Sequence, residues 1–285
     1  MFSKKQTLTP DEMAEIERLI NICNEHDGLR MRIGLEMLRD RSGDETNDFL
    51  YYVDGQLVGY LEADSWGTKE KELTGMVHPA FCRQGIFTTL FTAAKEDLQQ
   101  RGVQKLIFVC EHTSKSGRAF LATTGAEFAY AEYEMWLGIF HERGRRSGGL
   151  LMRQANTRDI ETIVSLLATD SGNFASVREW VAKLMDKPEG HRFYLATLNG
   201  QSLGTVRLDF MDEVIGIYAF EVRLGYRGLG YGREMLEQLI HIARAASNKP
   251  IMLDVETDNT NAVGLYLSVG FEIKTTYDYY ELNLL

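Results

Sequence analysis

Val222-Arg223-Leu224-Gly225-Tyr226-Arg227-Gly228-Leu229-Gly230-Tyr231-Gly232-Arg233 is the stretch on which the reading of this chain turns. It follows an apolar run. It leads into Met235, Leu236, Leu239, Ile240 and Ala243, whose three- and four-residue spacing predicts a helix. Glycines at a strand-to-helix turn let the backbone curl and aim several N–H groups at one anion, and the helix dipole adds favourable potential. The turn therefore predicts a phosphate site, with a plain tight turn as the alternative. A Walker loop is excluded, because no Gly-Lys-Ser/Thr follows. The dinucleotide fingerprint fails as well, since Arg233 stands where its third glycine would fall.

Working outward, the same surroundings occur twice. Asp54-Gly55-Gln56-Leu57-Val58-Gly59 parallels Asn199-Gly200-Gln201-Ser202-Leu203-Gly204 at an offset of 145 residues. Val77 and Val222 share that offset, as do Gly85 and Gly230, Glu111 and Glu256, Gly125 and Gly270, and Leu137 and Leu282. A repeat this long is a whole domain rather than a solenoid unit. Each copy opens with helical periodicity: Met13, Ile16, Leu19, Ile20 and Cys23 in the first, Ile160, Ile163, Val164 and Leu167 in the second. Strands over Phe49–Val53 and Leu57–Leu61 flank Asp54-Gly55, and strands over Phe193–Leu198 and Ser202–Asp209 flank Asn199-Gly200. A third strand ends at Val77 or Val222. The Gly-rich turn and its helix come next, then a short buried strand (Leu106–Cys110 or Ile251–Val255), a helix, a Gly turn and a last strand. The expected class is α+β, with domains at 1–140 and 150–285 joined by a solvated, arginine-rich linker at 141–149.

Two motifs in order give the second copy a resemblance to the GNAT superfamily of N-acetyltransferases. Arg227, Gly230 and Gly232 satisfy that family's Arg/Gln-x-x-Gly-x-Gly/Ala loop. Asn259-Thr260-Asn261-Ala262-Val263-Gly264-Leu265-Tyr266, followed by Gly270-Phe271, matches its Asn-x-x-Ala-x-x-Leu-Tyr signature. The strand Leu253-Asp254-Val255 is similar to the corresponding strand of ribosomal-protein N-terminal acetyltransferases, which carries an acidic residue there. The resemblance covers residues 150–285 and reaches 1–140 through the repeat. It implies two tandem GNAT domains, each a mixed, mostly antiparallel sheet flanked by helices, with splayed central strands. It also implies acetyl-CoA as co-substrate. The pantetheine arm would lie beside Phe220 and Val222, and Asn259 would bond it or cap the following helix. The pyrophosphate would sit on Arg227, Gly228, Leu229, Gly230, Tyr231, Gly232 and Arg233.

Acetyl transfer needs a neutral amine held close to the thioester, donors for the oxyanion and a proton for the departing thiolate. Backbone N–H groups near Phe220–Val222 are the expected oxyanion donors, and Tyr266 matches the family's general acid. Glu221 and Asp254 each interrupt an apolar strand, where a carboxylate is costly unless partnered or functional. Either is a candidate base, and a salt-bridged structural acid is the alternative for each. In the first copy the matching positions are Cys82 for Arg227, Phe87 for Gly232, Leu121 for Tyr266, Ser114 for Asn259, Met76 for Glu221 and Val109 for Asp254. Residues 1–140 are thus expected to keep the fold without the chemistry, with weak CoA binding at Arg83-Gln84-Gly85-Ile86-Phe87 left open.

Composition narrows the partners. The 285 residues carry 31 Lys+Arg against 41 Asp+Glu, a formal charge of −10, which argues against general nucleic-acid binding and mildly favours a cationic amine. The expected acceptor is a small-molecule or peptide amine; transfer of a longer acyl group and a non-catalytic CoA-binding scaffold are the alternatives. Three cysteines without a Cys-x-x-Cys pair, no signal core and no apolar run of 18 point to the cytoplasm and away from a membrane span. Six dispersed histidines give no metal-ligand spacing. Trp66, Trp136, Trp180, Tyr277, Tyr279 and Tyr280 are aromatic candidates for an acceptor pocket or for core.

Overall fold

The computed structural model describes residues 1–31, 33–39, 41–64, 69–143, 149–168, 172–186 and 189–284. Trp66 and most of the expected linker, residues 144–148, lie outside the described residues. The chain forms two compact units, Met1–Glu132 with Thr275–Leu285, and Tyr133–Lys274. The borders at 140 and 150 read from the repeat do not coincide with these. Residues 275–285 of the second copy complete unit 1, and 133–140 of the first copy belong to unit 2. A strand's alternation records which face it buries and not which sheet edge it joins.

Unit 1 runs β1 (Phe2–Lys5), α1 (Pro10–Asp27), α2 (Leu35–Arg39), β2 (Asp48–Val53), β3 (Gln56–Asp64), β4 (Glu70–Val77), α3 (Ile86–Gln100), β5 (Lys105–Glu111) and α4 (Lys115–Leu121). Thr9 and Glu12 form a capping box at the start of α1, and Gly28 in the left-handed region (φ 66°) ends it. The β2–β3 turn uses Asp54 and Gly55 with positive φ (49° and 80°), as a tight hairpin requires. β1 to β4 are antiparallel neighbours, and β4 pairs β5 in parallel. Residues 277–283, in the last strand of the chain, pair antiparallel with β5. On one face α3 buries Leu90, Ala94 and Leu98 against Phe49, Leu61 and Leu106; on the other α1 buries Ile16, Leu19 and Cys23 against Leu50 and Tyr60.

Unit 2 repeats the plan. It contains residues 133–137 of β6 (Glu127–Leu137), β7 (Leu151–Gln154), α5 (Ile160–Leu167), α6 (Phe174–Met185), β8 (His191–Leu198), β9 (Gln201–Phe210), β10 (Ile215–Val222), α7 (Tyr231–Ala246), β11 (Ile251–Glu256) and α8 (Thr260–Val269). β7 to β10 are antiparallel neighbours and β10 pairs β11 in parallel. Leu236, Leu239, Ile240 and Ala243 of α7 cover Val206, Leu208, Ile215, Ile217 and Leu253. Ile163, Val164 and Leu166 of α5 and Val181 of α6 cover Phe193 and Leu195 on the opposite face. The helix α6 and the four-residue edge strands β1 and β7 have no counterpart in the sequence reading. α6 buries only Val181, and a strand of four residues is too short to show alternation. The final strand of the chain is β12 (Phe271–Asn283).

Candidate active site

In unit 2 the parallel ladder between β10 and β11 ends at Ile217–Leu253, while β10 continues to Val222 and β11 to Glu256. The two central strands thus part where the sequence reading placed the cleft. β10 also breaks register with β9 between Tyr218 and Glu221. One extra residue is accommodated there, and Ala219 takes φ 50°, a left-handed conformation an alanine adopts only at a cost. The bulge takes Ala219 and Phe220 out of the ladder, so the strand beside the cleft is bent where backbone donors are wanted.

The Gly-rich turn leaves the end of this strand. Gly228 (φ 74°) and Gly230 (φ 86°) need glycine for their backbone, and Gly230 caps α7 without a side chain. The first intrahelical bond runs from the Glu234 N–H to the Gly230 carbonyl at 3.2 Å, so Gly232 and Arg233 precede it in the first turn. Gly232 is different. A Cβ there would meet Leu265, Val222 and Phe220 at only 3.5 to 3.9 Å, ordinary contact, so packing within the protein does not demand glycine.

Two of the turn's three arginines, Arg227 and Arg233, are engaged by the protein. Arg227 donates from Nε to the Val222 carbonyl (2.7 Å) and from Nη2 to Glu221 Oε1 (2.5 Å). Arg233 bonds Glu237 (2.6 Å), Ser268 Oγ (2.7 Å) and the His141 carbonyl (2.6 Å), tying α7 to the end of α8. Sequence spacing found these arginines and could not find their partners.

Tyr266 of α8 is buried, in edge contact with Phe220 (6.2 Å) and Phe271 (5.9 Å). Its hydroxyl makes no hydrogen bond among the described residues. Burial first, and the nearby Glu221 charge second, push its pKa up to about 12, so it is protonated throughout the neutral range. Asp254 is half-buried one residue beyond the last β10–β11 pair, on a strand whose Leu253 and Val255 face the core. Tyr218 and Met252 are hydrogen-bonded (3.7 Å) on the same side of the sheet as Asp254 by strand alternation. Asn259 accepts the Ala262 N–H at 3.2 Å and caps α8. A hollow of about 400 Å³ along α7, among Glu142, Glu234, Glu237 and His241, contains none of these candidates.

Of the aromatic candidates, Trp180 packs on Phe193 (6.0 Å) and under the buried Arg207 guanidinium (4.9 Å), and Trp136 donates to Glu134 (2.7 Å). Tyr277, Tyr279 and Tyr280 belong to unit 1, where Tyr277 donates to the Arg30 carbonyl and Tyr279 stacks on Tyr130 at 4.4 Å.

The counterpart cleft in unit 1 has another content. The β4–β5 ladder ends at Leu73–Phe108, but β4 pairs β3 without a break from Val77 to Glu72. Phe87, at the position of Gly232, lays its ring on Gly75, where a Cβ would meet it at 2.9 Å, and packs edge-on against Phe120 (4.7 Å). The space that remains is a cavity of about 80 Å³ among Leu73, Gly75, Phe87, Phe108, Cys110 and Leu121.

Residues 13–125 and 158–271 each match the acetyltransferase (GNAT) family, and together they make up most of the chain. The chain belongs to the GNAT family. It is an acetyl-CoA-dependent acetyltransferase built from two tandem GNAT folds. A mycothiol acetyltransferase of Mycobacterium sp. (strain MCS) is 26% identical over 290 residues, covering 95% of each chain. One from Geodermatophilus obscurus is 28% identical over 289 residues, covering 93% of this chain and 92% of its own. Among solved structures, a GCN5-related N-acetyltransferase from Sphaerobacter thermophilus superposes with a TM-score of 0.83 at 21% identity, over 99% of this chain and 96% of that one. A tandem GNAT protein from the clavulanic acid biosynthesis pathway does so at 0.75 and 15% identity, over 100% and 98%. No described helix of this GNAT protein is long and apolar enough to cross a membrane.

Proposed function

We propose that this acetyltransferase moves the acetyl group of acetyl-CoA to a primary amine of a small molecule or peptide, and that unit 2 performs the chemistry. The observation that carries this reading is Tyr266, a buried tyrosine whose hydroxyl makes no hydrogen bond among the described residues, packed on Phe220 of the bulged, splayed strand. The amine nitrogen attacks the thioester carbonyl, and the C–N bond forms as the C–S bond breaks. Glu221 or Asp254 takes the amine proton, directly or through water, and Tyr266 supplies a proton to the thiolate. Backbone N–H groups of the bulged strand stabilise the oxyanion. Gly228, Leu229, Gly230, Tyr231, Gly232 and Arg233 present the start of α7 to the pyrophosphate, and Phe220 and Val222 flank the pantetheine arm. The crowding of Phe220, Tyr266 and Phe271 favours acetyl over a longer acyl group.

Unit 1 plays no part in the chemistry on this reading. Phe87 fills the cofactor's place, Leu121 replaces the acid, and β4 lacks the bulge. The relatives support acetyl transfer. Incubation with acetyl-CoA, a panel of primary amines and a thiol reagent tests the reading. Amine-dependent thiol release is expected. Failure to bind acetyl-CoA, with no release for any amine, would count against it.

A further inference from the structure

We propose that the narrowed fork of unit 1 binds a short aliphatic ammonium ion, with the Glu111 carboxylate on its head and the apolar walls of the cavity around its chain. The inference concerns unit 1 alone and does not depend on the chemistry assigned to unit 2. Three observations carry it. The first is the cavity itself, about 80 Å³ between β4 and β5. Toward α3 and α4 it ends on the edge-on pair Phe87 and Phe120 and on Leu121, with Leu73 and Phe108 beside them. Such walls suit hydrocarbon and offer little to a charged group. A cavity of about 150 Å³ admits a benzene ring, so this one has room for a chain of about three or four carbons.

The second observation is Glu111 at the opposite end. On β5, Leu106, Phe108 and Cys110 pack with α3, so Val109 and Glu111 point to the other face by alternation. There Glu111 lines the cavity beside the half-buried Leu29 and Met31. Only 9% of Glu111 is exposed. It accepts the Arg30 N–H (2.5 Å) and the Thr113 hydroxyl (3.0 Å). A carboxylate accepts about four hydrogen bonds, so these two leave capacity for a further donor. An ammonium head supplies donors and the opposite charge together, whereas an anion is repelled. The other buried acid of this region, Asp278, stands in register with Cys110 on the α3 face and is paired with His112 (2.9 Å).

The internal repeat is the third. Glu256, the match of Glu111 in unit 2, is exposed, and Asp254, the acid at the fork of unit 2, is matched by Val109. Val109 and Glu111 share a face of β5, so unit 1 carries its acid one pleat nearer the end of the strand. The fork itself is left apolar for a chain, and the carboxylate waits beyond it for the head. An ammonium held in this way is bound without being acetylated.

The test uses the full chain with methionine methyl carbons labelled. The Met31 methyl, assigned by its loss in Met31→Leu, reports on the cavity while n-butylammonium, 1-butanol and butyrate are added in turn. Butylammonium should give a saturable shift with a millimolar Kd, as befits a ligand of about five non-hydrogen atoms. Butanol and butyrate should bind at least about tenfold more weakly, because neither pairs a positive charge with the carboxylate. Glu111→Gln keeps an oxygen for the Arg30 N–H and should weaken butylammonium by about tenfold while leaving butanol unmoved. Val109→Phe should fill the cavity and abolish the shift, with the far-ultraviolet spectrum and melting curve reporting the fold. Should that variant unfold, the ligand series in wild type and Glu111→Gln decide by themselves. No saturable shift up to about 50 mM butylammonium overturns the proposal. So does butanol or butyrate that binds as tightly, an unchanged Kd in Glu111→Gln, or a full shift in folded Val109→Phe.

Discussion

The two clefts of this chain share a ladder that stops early and a helix that starts on a left-handed glycine, Gly85 or Gly230. They differ in what fills the fork. In unit 2 a glycine, an ion pair and a tyrosine whose hydroxyl is unbonded among the described residues line it, beside a strand bent by one extra residue. In unit 1 two phenylalanines and a leucine narrow it to a cavity of about 80 Å³, beside a strand that runs straight. On the proposed reading, the fold is therefore separable from the chemistry. Filling the cleft with side chains improves packing, whereas the unit 2 strand carries a strained Ala219.

The sharpest way to break this comparison is to carry the plug across. Gly232→Phe places unit 1's residue in unit 2. A Cβ at Gly232 meets only ordinary contacts, so the helix should persist and the far-ultraviolet spectrum should be unchanged. The ring would occupy the space beside Phe220 and Val222, and acetyl-CoA binding should fall by about 100-fold or more in a calorimetric titration, since phosphate can no longer reach the backbone. Retained affinity would show that the cofactor lies elsewhere.

Next in size is Tyr266→Phe. It keeps the contacts to Phe220 and Phe271 and removes only the hydroxyl. Turnover should drop by about 10²–10⁴-fold with little change in acetyl-CoA affinity, because the loss lies in the transition state. A general acid works while protonated. With its pKa pushed up to about 12, Tyr266 stays so through the neutral and mildly alkaline range, and the ratio of wild-type to variant rates should be flat there. A ratio that collapses toward one near neutrality would assign the acid to another group. Leu121 in unit 1 already carries the apolar end of this series.

These features were not equally visible in the sequence. The repeat, both hairpins, the turn and the helix faces were legible because each follows from local spacing: Asp54-Gly55 and Asn199-Gly200 adopt positive φ in both copies, and Leu90, Ala94 and Leu98 are buried as their period requires. The bulge was not. Ala219 carries no residue-type signal for its φ, and the repeat offset of 145 runs through Glu221 and Met76 alike. Nor was the destination of residues 275–283, since alternation cannot say which edge a strand completes. Ion-pair partners six residues apart, such as Glu221 and Arg227, become neighbours only through the turn's three-dimensional course.

A smaller effect separates the units by pH. Glu62 of unit 1 occupies the repeat position of Arg207 in unit 2, and both are buried beside an ionic partner, Arg41 for the first, which it shares with Asp48, and Asp209 for the second. Burial raises the Glu62 pKa from 4.5 to about 8 despite Arg41. The folded chain thus holds a proton that the unfolded chain releases. The stability this contributes is fully present below 4.5 and is lost as pH rises through 8. Glu62→Gln carries no charge at any pH. It should match wild type near the acid end and exceed it in urea unfolding at high pH by on the order of 1–3 kcal/mol, discounted for the coupling to Arg41. Equal pH slopes for the two proteins would place the proton uptake elsewhere.

The smallest expected effect tests where fold ends and chemistry begins. Asn259 accepts the Ala262 N–H at 3.2 Å, and its unit 1 counterpart Ser114 accepts the Gly117 N–H at 3.1 Å. The same cap survives in a copy without the tyrosine or the acids, so capping is sufficient reason for a polar residue here. Ser and Asn cap about equally well, whereas alanine leaves the first-turn N–H groups unmet. Asn259→Ser should then be neutral in stability, and Asn259→Ala should cost about 1 kcal/mol in thermal or urea unfolding. Acetyl-CoA affinity decides the rest. If the side chain only caps, the serine variant binds as wild type does. If its amide also bonds the pantetheine arm, the serine variant keeps its stability and loses several-fold in affinity, and the Asn–Ser difference between the two units becomes part of what separates the working cleft from the closed one.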